Sequence, residues 1–107
     1  MPNKVTILVA AYNAQTYLTQ CLDSLVGQTL REIQIVCIDD ASTDGTWRIM
    51  KHYADADPRF VLLRHSENLG QARARNYGLT RADGEFVTMV DSDDWLAPDA
   101  LAEAYAT

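Results

Sequence analysis

The chain has 107 residues, of which 48% are hydrophobic, and it carries a formal net charge of −6 at pH 7. This length and composition predict one domain, over residues 1–107, with a real hydrophobic core, and the negative charge argues against nucleic acid or anionic lipid as a partner. No apolar run reaches the ~20 residues that a membrane-spanning helix needs, and the start of the chain lacks a secretory signal. We therefore expect a cytoplasmic protein without a transmembrane segment in this chain.

The first half of the chain predicts two strand–helix units. Val5–Tyr12 is a short apolar run rich in β-branched residues, as in a buried strand. The helix that follows repeats apolar residues three and four positions apart and ends at Gly27. Ile33–Asp39 predicts the second strand, and Ser42 or Thr43 is the expected N-cap of the second helix. The apolar stripe of that helix consists of Trp47, Met50 and Ala54.

The second half of the chain repeats the pattern. Arg59–His65 predicts the third strand, and residues 70–82 predict the third helix. Glu85–Val90 predicts the fourth strand, and Pro98 presets the first turn of a last short helix. The expected inner face of the third helix consists of Ala72, Asn76 and Leu79.

Apolar strands that alternate with helices predict a parallel, doubly wound α/β sheet with helices on both faces, a three-layer α/β/α domain of Rossmann-like type. We expect the strand order 3-2-1-4. The carboxyl ends of parallel strands share one edge, and ligands bind where the strand order reverses, here between the first and fourth strands. The residues at that edge are Tyr12 and Asn13, Asp39 and Asp40, His65 to Asn68, and Asp91 to Asp94.

A dense group of acidic residues, Asp91, Asp93 and Asp94, directly follows the fourth strand. Carboxylate oxygens offered from a short turn suit a hard cation such as Mg²⁺ or Mn²⁺, which completes its shell with water and substrate phosphates. The bound ion reverses the local charge and holds a diphosphate against the acidic edge. The sequence therefore predicts a divalent metal site, in a loop that is weakly ordered without metal.

Other cation and nucleotide motifs fail on details of the sequence. An EF-hand loop starting at Asp91 would need glycine and glutamate where Leu96 and Ala102 stand. Neither a dinucleotide-binding G-x-G-x-x-G nor a P-loop follows the first strand, and a receiver domain would need its acidic pair there and its phosphate-accepting aspartate after the third strand. Cys21 and Cys37 lie among apolar residues, which indicates buried thiols rather than a disulfide or metal ligands.

Four blocks of the sequence, in order, resemble the inverting family 2 glycosyltransferases, which have the nucleotide-diphospho-sugar-binding fold called GT-A. The blocks are VTILVAAYNAQTYLTQCLDSLVGQT, IVCIDDASTDGT, ENLGQARARNYGL and GEFVTMVDSDDWLAPD. They cover nearly the whole chain, and their order and spacing make the resemblance far more specific than a D-x-D motif alone. One difference is Ala10, where the family often has proline, and it removes no chemical group.

The resemblance implies a nucleotide-diphospho-sugar donor, with a UDP-sugar expected, bound through Mn²⁺ or Mg²⁺. In that case Tyr12 stacks on the base, beside the backbone of Ala10 and Ala11. Asp40 accepts a hydrogen bond from a base N–H, since an ionised carboxylate only accepts. Asp39 is expected to orient its turn by binding backbone amides.

The same resemblance makes Asp93 a direct metal ligand and places Asp91 near both the ribose and the metal. Arg73 or Arg75 approaches the phosphates from the third helix, and Arg75 is the one included in the predicted nucleotide site. The alternative for each arginine is a solvated face or a surface ion pair. Trp95 either lines the sugar pocket or packs under the loop, and we expect the second.

In this family an acceptor hydroxyl attacks the anomeric carbon in one displacement with inversion, helped by the metal and by a carboxylate general base. The resemblance places that base beyond Thr107, so we expect a truncated donor-binding half that cannot turn over alone. The alternative is a non-catalytic nucleotide-binding or assembly module.

An absent second half would leave the fourth strand as an open apolar edge, which predicts a homo-oligomer through that edge. Asp44 lies beside the start of the predicted second helix, where we expect it to act as a charge at the helix end rather than as a ligand.

Overall fold

The computed structural model describes residues 3–107, in which strands and helices alternate strictly. The elements are β1 (Val5–Ala11), α1 (Gln15–Val26), β2 (Ile33–Asp39), α2 (Thr46–Ala56), β3 (Phe60–Arg64), α3 (Gln71–Leu79), β4 (Phe86–Met89) and α4 (Ala100–Ala106). The predicted types and order of the elements are confirmed. No helix within residues 3–107 has the length and apolar character that crossing a membrane requires.

All four strands of the described chain pair in parallel, in the order β3-β2-β1-β4, which confirms the predicted sheet. β1 and β2 lie in the centre, so both of their faces are covered and all of their residues are buried. Alternate residues supply two cores. The core that includes Ile7 and Val9 packs against α1, α2 and α4, and the core that includes Leu8 and Ile38 packs against α3. The domain therefore has the expected three layers.

α3 packs on the sheet through a face that differs from the prediction. The sequence pattern predicts an inner face of Ala72, Asn76 and Leu79. The structure instead buries Ala74 and Gly78, and it leaves Leu79 45% exposed. A Cβ atom at Gly78 would lie 2.7 Å from Cδ1 of Ile38. The helix lies so close to the sheet that only small residues fit between them, and the expected apolar residues point elsewhere.

Two predicted helix starts are wrong. Gly45, not Ser42 or Thr43, precedes the first residue of α2. Both predicted caps face the loop after β1 instead, where they contact Asn13. α4 likewise begins after Asp99, one residue beyond Pro98.

Both cysteines are buried free thiols, as predicted. Burial raises the pKa of Cys21 to about 12, and the charges of Asp94, Asp93 and Asp91 act in the same direction. Burial also raises the pKa of Cys37. Both side chains are therefore protonated at neutral pH and behave as small apolar groups.

β3 and β4 are the two edge strands of the sheet within the described residues, and β4 is the more exposed of the two. It pairs only with β1 there, and its residues Phe86, Val87 and Met89 are 56%, 42% and 51% exposed. The open apolar edge that the sequence predicts for the fourth strand is therefore present in the described part of the chain. An edge strand lacks a neighbour on one side, and its apolar residues remain open to solvent.

Candidate functional site

The loop after β1 is held by hydrogen bonds from the loop after β2. Asn13 adopts a left-handed backbone conformation, with φ of 49°, which turns the chain at the end of the strand. Its backbone N–H donates to Oγ of Ser42 at 2.8 Å, and its Oδ1 accepts from the backbone N–H of Thr43 at 2.8 Å. The Tyr12 side chain, which is 48% exposed, is therefore carried on a fixed backbone.

Asp44 joins the same two loops. Its Oδ1 accepts from the backbone N–H of Thr46 at 2.9 Å, and its Oδ2 accepts from the backbone N–H of Gln15 at 3.2 Å. The side chain of Gln15 reaches back, because its Oε1 accepts from the backbone N–H of Gly45 at 2.6 Å. Asp44 is thus a charge at the start of α2, as the sequence predicts.

A hollow of about 350 Å³ opens between the carboxyl ends of β1 and β4. This is the point at which the strand order reverses, where ligands bind in open α/β sheets. The residues that line the hollow are Tyr12, Asn13, Ala14, Tyr17, Gln71, Asp91, Ser92 and Asp93. Of the predicted site residues, Tyr12, Asp91 and Asp93 therefore meet in one place.

The acidic loop after β4 offers several carboxylate oxygens at close range. Asp91, Asp93 and Asp94 are exposed, and one ligand atom from each lies within 4.8 Å of the other two. The backbone N–H of Asp94 donates to the backbone O of Asp91 at 2.9 Å, which curls the loop. Below it, Sγ of Cys21 lies 3.6 Å from the same backbone O. Oxygen ligands at this spacing fit Mg²⁺ or Mn²⁺, so the residues present suit the predicted cation.

Asp40 lies beneath this edge and does not line the hollow. It is 3% exposed. Its Oδ1 accepts from Nδ1 of His65 at 2.8 Å and from the backbone N–H of Leu69 at 3.0 Å, and its Oδ2 accepts from the backbone N–H of Gly70 at 2.8 Å. Burial by itself acts to raise the pKa of Asp40, but these hydrogen bonds outweigh burial, and the pKa lies below its ordinary value. Asp40 is therefore an ionised acceptor.

Arg75 extends from α3 toward the acidic loop. Its Nη2 lies 3.4 Å from Oδ1 of Asp91, and both side chains are substantially exposed. Such a pair is weak in water, so Arg75 is free to exchange partners. Arg73 is exposed on the same helix. The structure thus shows Arg75 in a surface ion pair, the alternative given for it in the sequence analysis, with one of the hollow's acidic residues as its partner, and its place in the nucleotide site stays a prediction.

Three further residues of the predicted site or its surroundings are buried in strand ends. Ala10 and Ala11 are 6% and 3% exposed, and the backbone O of Ala11 accepts from the backbone N–H of Asp40 at 2.9 Å. Asp39 orients its turn as predicted, because its Oδ1 accepts from the backbone N–H of Ser42 at 3.0 Å. These residues support the hollow from below.

The expectation that Trp95 packs under the acidic loop is wrong, because Trp95 is 60% exposed. Its neighbour Leu96 packs against the core in its place. The backbone N–H of Leu96 donates to Oγ of Ser24 at 3.1 Å, which anchors the loop to α1. The smaller side chain fills the space below the loop, and the indole is directed outward.

Sequence reasoning missed several residues of the hollow. Tyr17 belongs to the first turn of α1, and Gln71 begins α3. Ala14 is the third missed residue, whereas Asn13 and Ser92 belong to the polar runs that the sequence places at this edge. The signal that could have found them is position, because each lies in the segment that joins the carboxyl end of a strand to the first turn of the following helix.

The fold and the hollow define a class of protein, a doubly wound α/β domain with an acidic hollow at its topological switch point, where ligands of such sheets bind. Residues 6–107 match the family described as Glycosyl transferase family 2. The chain belongs to this family.

Most of this chain aligns with curated relatives. It is 43% identical over 103 residues to glycosyltransferase GlyA of Streptococcus pneumoniae serotype 4, an alignment that covers 96% of this chain and 15% of GlyA. It is 45% identical over 103 residues to putative glycosyltransferase EpsH of Bacillus subtilis, covering 96% of this chain and 30% of EpsH. The chain therefore spans less than a third of the length of these two relatives.

Solved structures share the fold. The crystal structure of S. aureus TarS 1–349 in complex with UDP-GlcNAc has a TM-score of 0.91 and 36% identity, over 96% of this chain and 30% of that one. Mannosyltransferase PcManGT from Pyrobaculum calidifontis, in complex with GDP-Man and Mn²⁺, has a TM-score of 0.87 and 33% identity, over 97% of this chain and 33% of that one. The predicted GT-A glycosyltransferase fold is confirmed.

Proposed function

We propose that this chain is the donor-binding part of a glycosyltransferase, which transfers a sugar from a nucleotide-diphospho-sugar to an acceptor hydroxyl. We expect the donor to be a UDP-sugar. The observation that carries the proposal is the hollow lined by both Tyr12 and the carboxylates of Asp91 and Asp93. An aromatic face suits a nucleobase, and carboxylates suit a cation that carries a diphosphate. The UDP-GlcNAc bound to TarS and the GDP-Man bound to PcManGT support this class of ligand.

In this proposal the nucleotide of the donor is bound by residues from three parts of the chain, the end of β1, the end of β2 and α3. Tyr12 stacks on the base, above the strand end formed by Ala10 and Ala11. Asp40 accepts a hydrogen bond from a base N–H. Arg75, which already lies beside the acidic loop, adds a positive charge near the phosphates. A chain of net charge −6 needs such local cations to hold an anionic ligand.

The acidic loop holds the divalent cation, Mn²⁺ or Mg²⁺, in this proposal. Asp93 and Asp91 are its ligands, and Asp94 offers a third carboxylate at compatible distance. When bound, the cation acts as a Lewis acid toward the leaving diphosphate. The Mn²⁺ in PcManGT supports the choice of ion. The protein's own part is to keep these oxygens together at the end of β4.

Transfer with inversion requires the acceptor hydroxyl to attack from the face of the sugar opposite the diphosphate, with a base to take its proton. Among the described residues, the carboxylates that line the hollow are Asp91 and Asp93, and both are assigned to the cation. We therefore assign no general base within these residues, and the sequence-based expectation that the chain is inactive alone stays a prediction.

Calorimetry with uridine diphosphate, with and without Mn²⁺, tests the proposal. We expect binding in Mn²⁺ that is lost without the metal and in Asp93→Ala. Asp55→Ala is the matched control, because it makes the same chemical change at an exposed position of α2 remote from the hollow. Binding that is indifferent to Mn²⁺, or equal losses in the two variants, would contradict the metal-dependent site.

Self-association through β4 is a separate part of the proposal. The exposed side chains of Phe86, Val87 and Met89 beside an unpaired strand edge support it, because such edges pair with another chain when one is available. The cytoplasmic location predicted from the sequence stays a prediction.

A further inference from the structure

The carboxylate of Asp40 has nearly all of its acceptor positions in use. Oδ1 accepts from Nδ1 of His65 at 2.8 Å and from the backbone N–H of Leu69 at 3.0 Å. Oδ2 accepts from the backbone N–H of Gly70 at 2.8 Å. An ionised carboxylate offers about four acceptor positions, two on each oxygen. Within the described part of the chain, the remaining position therefore belongs to Oδ2.

His65 is itself held in one orientation. Its ring stacks on that of Tyr77, with centroids 5.3 Å apart and planes 10° from parallel, and its side chain is 13% exposed. Its backbone N–H donates to the backbone O of Asp39 at 2.9 Å. Because a carboxylate only accepts, Nδ1 carries the proton in the contact with Asp40. His65 is thus a donor of fixed direction that prevents the carboxylate from rotating.

Asp40 lies beneath the hollow and is bonded to residues that adjoin two of its lining residues. Its backbone N–H donates to the backbone O of Ala11, the residue before Tyr12. Its Oδ2 binds the amide of Gly70, the residue before Gln71. Tyr12 and Gln71 both line the hollow. Both carboxylate oxygens therefore adjoin the start of α3, through Leu69 and Gly70, and Oδ2 is the one that keeps a free acceptor position, beside the surface on which the base is proposed to stack.

We propose that His65 is a positioning residue for recognition of the nucleobase. By occupying Oδ1 of Asp40, His65 leaves a single acceptor on Oδ2, and the site then accepts a base that presents one ring N–H donor, as uracil does. Cytosine is rejected, because its corresponding ring nitrogen is an acceptor and would leave two acceptors facing each other. This inference rests on the proposed function, in which Asp40 contacts the base.

The test compares two ligands in the presence of Mn²⁺ by calorimetry. One is uridine diphosphate, and the other is its analogue in which a methyl group replaces the uracil ring N–H. We expect the wild-type protein to bind the analogue about tenfold more weakly. His65→Leu removes the donor at similar volume and is expected to weaken uridine diphosphate about fivefold while leaving the analogue unchanged.

His65→Asn supplies the rescue, because its side-chain amide places an N–H near the position of Nδ1, and it is expected to bind uridine diphosphate like the wild type. Thermal unfolding reports whether each variant is folded. If His65→Leu does not fold, His65→Gln, whose amide reaches beyond that position, replaces it with the same expectation. Equal weakening of both ligands, or no weakening of either, overturns the inference, because His65 then supports only the fold. Wild-type protein that binds neither ligand overturns the proposed function instead.

Discussion

Replacing Asp40 by asparagine keeps the shape of the side chain and removes its charge. In its better orientation, the amide oxygen keeps the contacts that Oδ1 makes with His65 and Leu69, and the amide NH₂ faces the backbone N–H of Gly70. One charge-assisted hydrogen bond is then lost, and two donors oppose each other at a buried position. We expect Asp40→Asn to lower the free energy of unfolding by about 2–4 kcal/mol.

Urea unfolding at neutral pH measures this difference through the midpoint and slope of the transition. Asp55→Asn on the exposed side of α2 is the control, and it is expected to stay within about 0.5 kcal/mol of the wild type.

The pKa of Asp40 is lower in the folded protein than its ordinary 3.8, because hydrogen bonds outweigh burial. The unfolded chain therefore takes up the proton first. The stabilisation by Asp40 is complete above about pH 5 and is lost as the pH falls below 3.8 toward the folded-state pKa.

Two results would refute this reasoning. A difference of less than about 0.5 kcal/mol at neutral pH would mean that neither the charge of Asp40 nor its hydrogen bond with Gly70 contributes net stability. A difference that is large but does not shrink in acid would mean that it comes from something other than the charge of Asp40.

The remaining predictions concern packing, stacking and assembly. Gly84→Ala is expected to lower the free energy of unfolding by about 1–3 kcal/mol, because the added Cβ would lie 2.5 Å from the backbone N of Thr6; an unchanged denaturation midpoint contradicts this. Tyr12→Ala is expected to weaken uridine diphosphate at least about tenfold in calorimetry, while Tyr12→Phe keeps the stacking face and the affinity. Similar losses in the two variants count against stacking. Val87→Lys places a charge on the exposed edge strand and is expected to shift size-exclusion elution from oligomer to monomer. Wild-type protein that elutes as a monomer at high concentration refutes self-association through β4.

The sheet was predictable because its signal is strong and local. β1 and β2 are central strands buried on both faces, and they therefore appear in the sequence as continuous apolar runs. The order of the strands then brings Tyr12 and the aspartates after β4 to the same edge, so the shared hollow followed from topology rather than from any single motif.

Three of the differences have a common cause, which is close packing between elements distant in sequence. α3 contacts the sheet through Ala74 and Gly78, and small residues leave no apolar stripe for a pattern to detect. Leu96 rather than Trp95 packs against the core, and its backbone bonds to Ser24 of α1, a contact between distant residues that local sequence does not report. The burial of Asp40 depends on the start of α3, about thirty residues away, and it was equally hidden.

The bonds that join the loop after β1 to the loop after β2 have a consequence for protein engineering. Asn13 and Gln15 on one side interlock with Ser42, Thr43 and Asp44 on the other through both side chains and backbone. Neither segment holds its shape independently of its counterpart. A chimera that takes only one of the two loops from a homologue would lose the hydrogen bonds between them. The two loops must therefore be exchanged together.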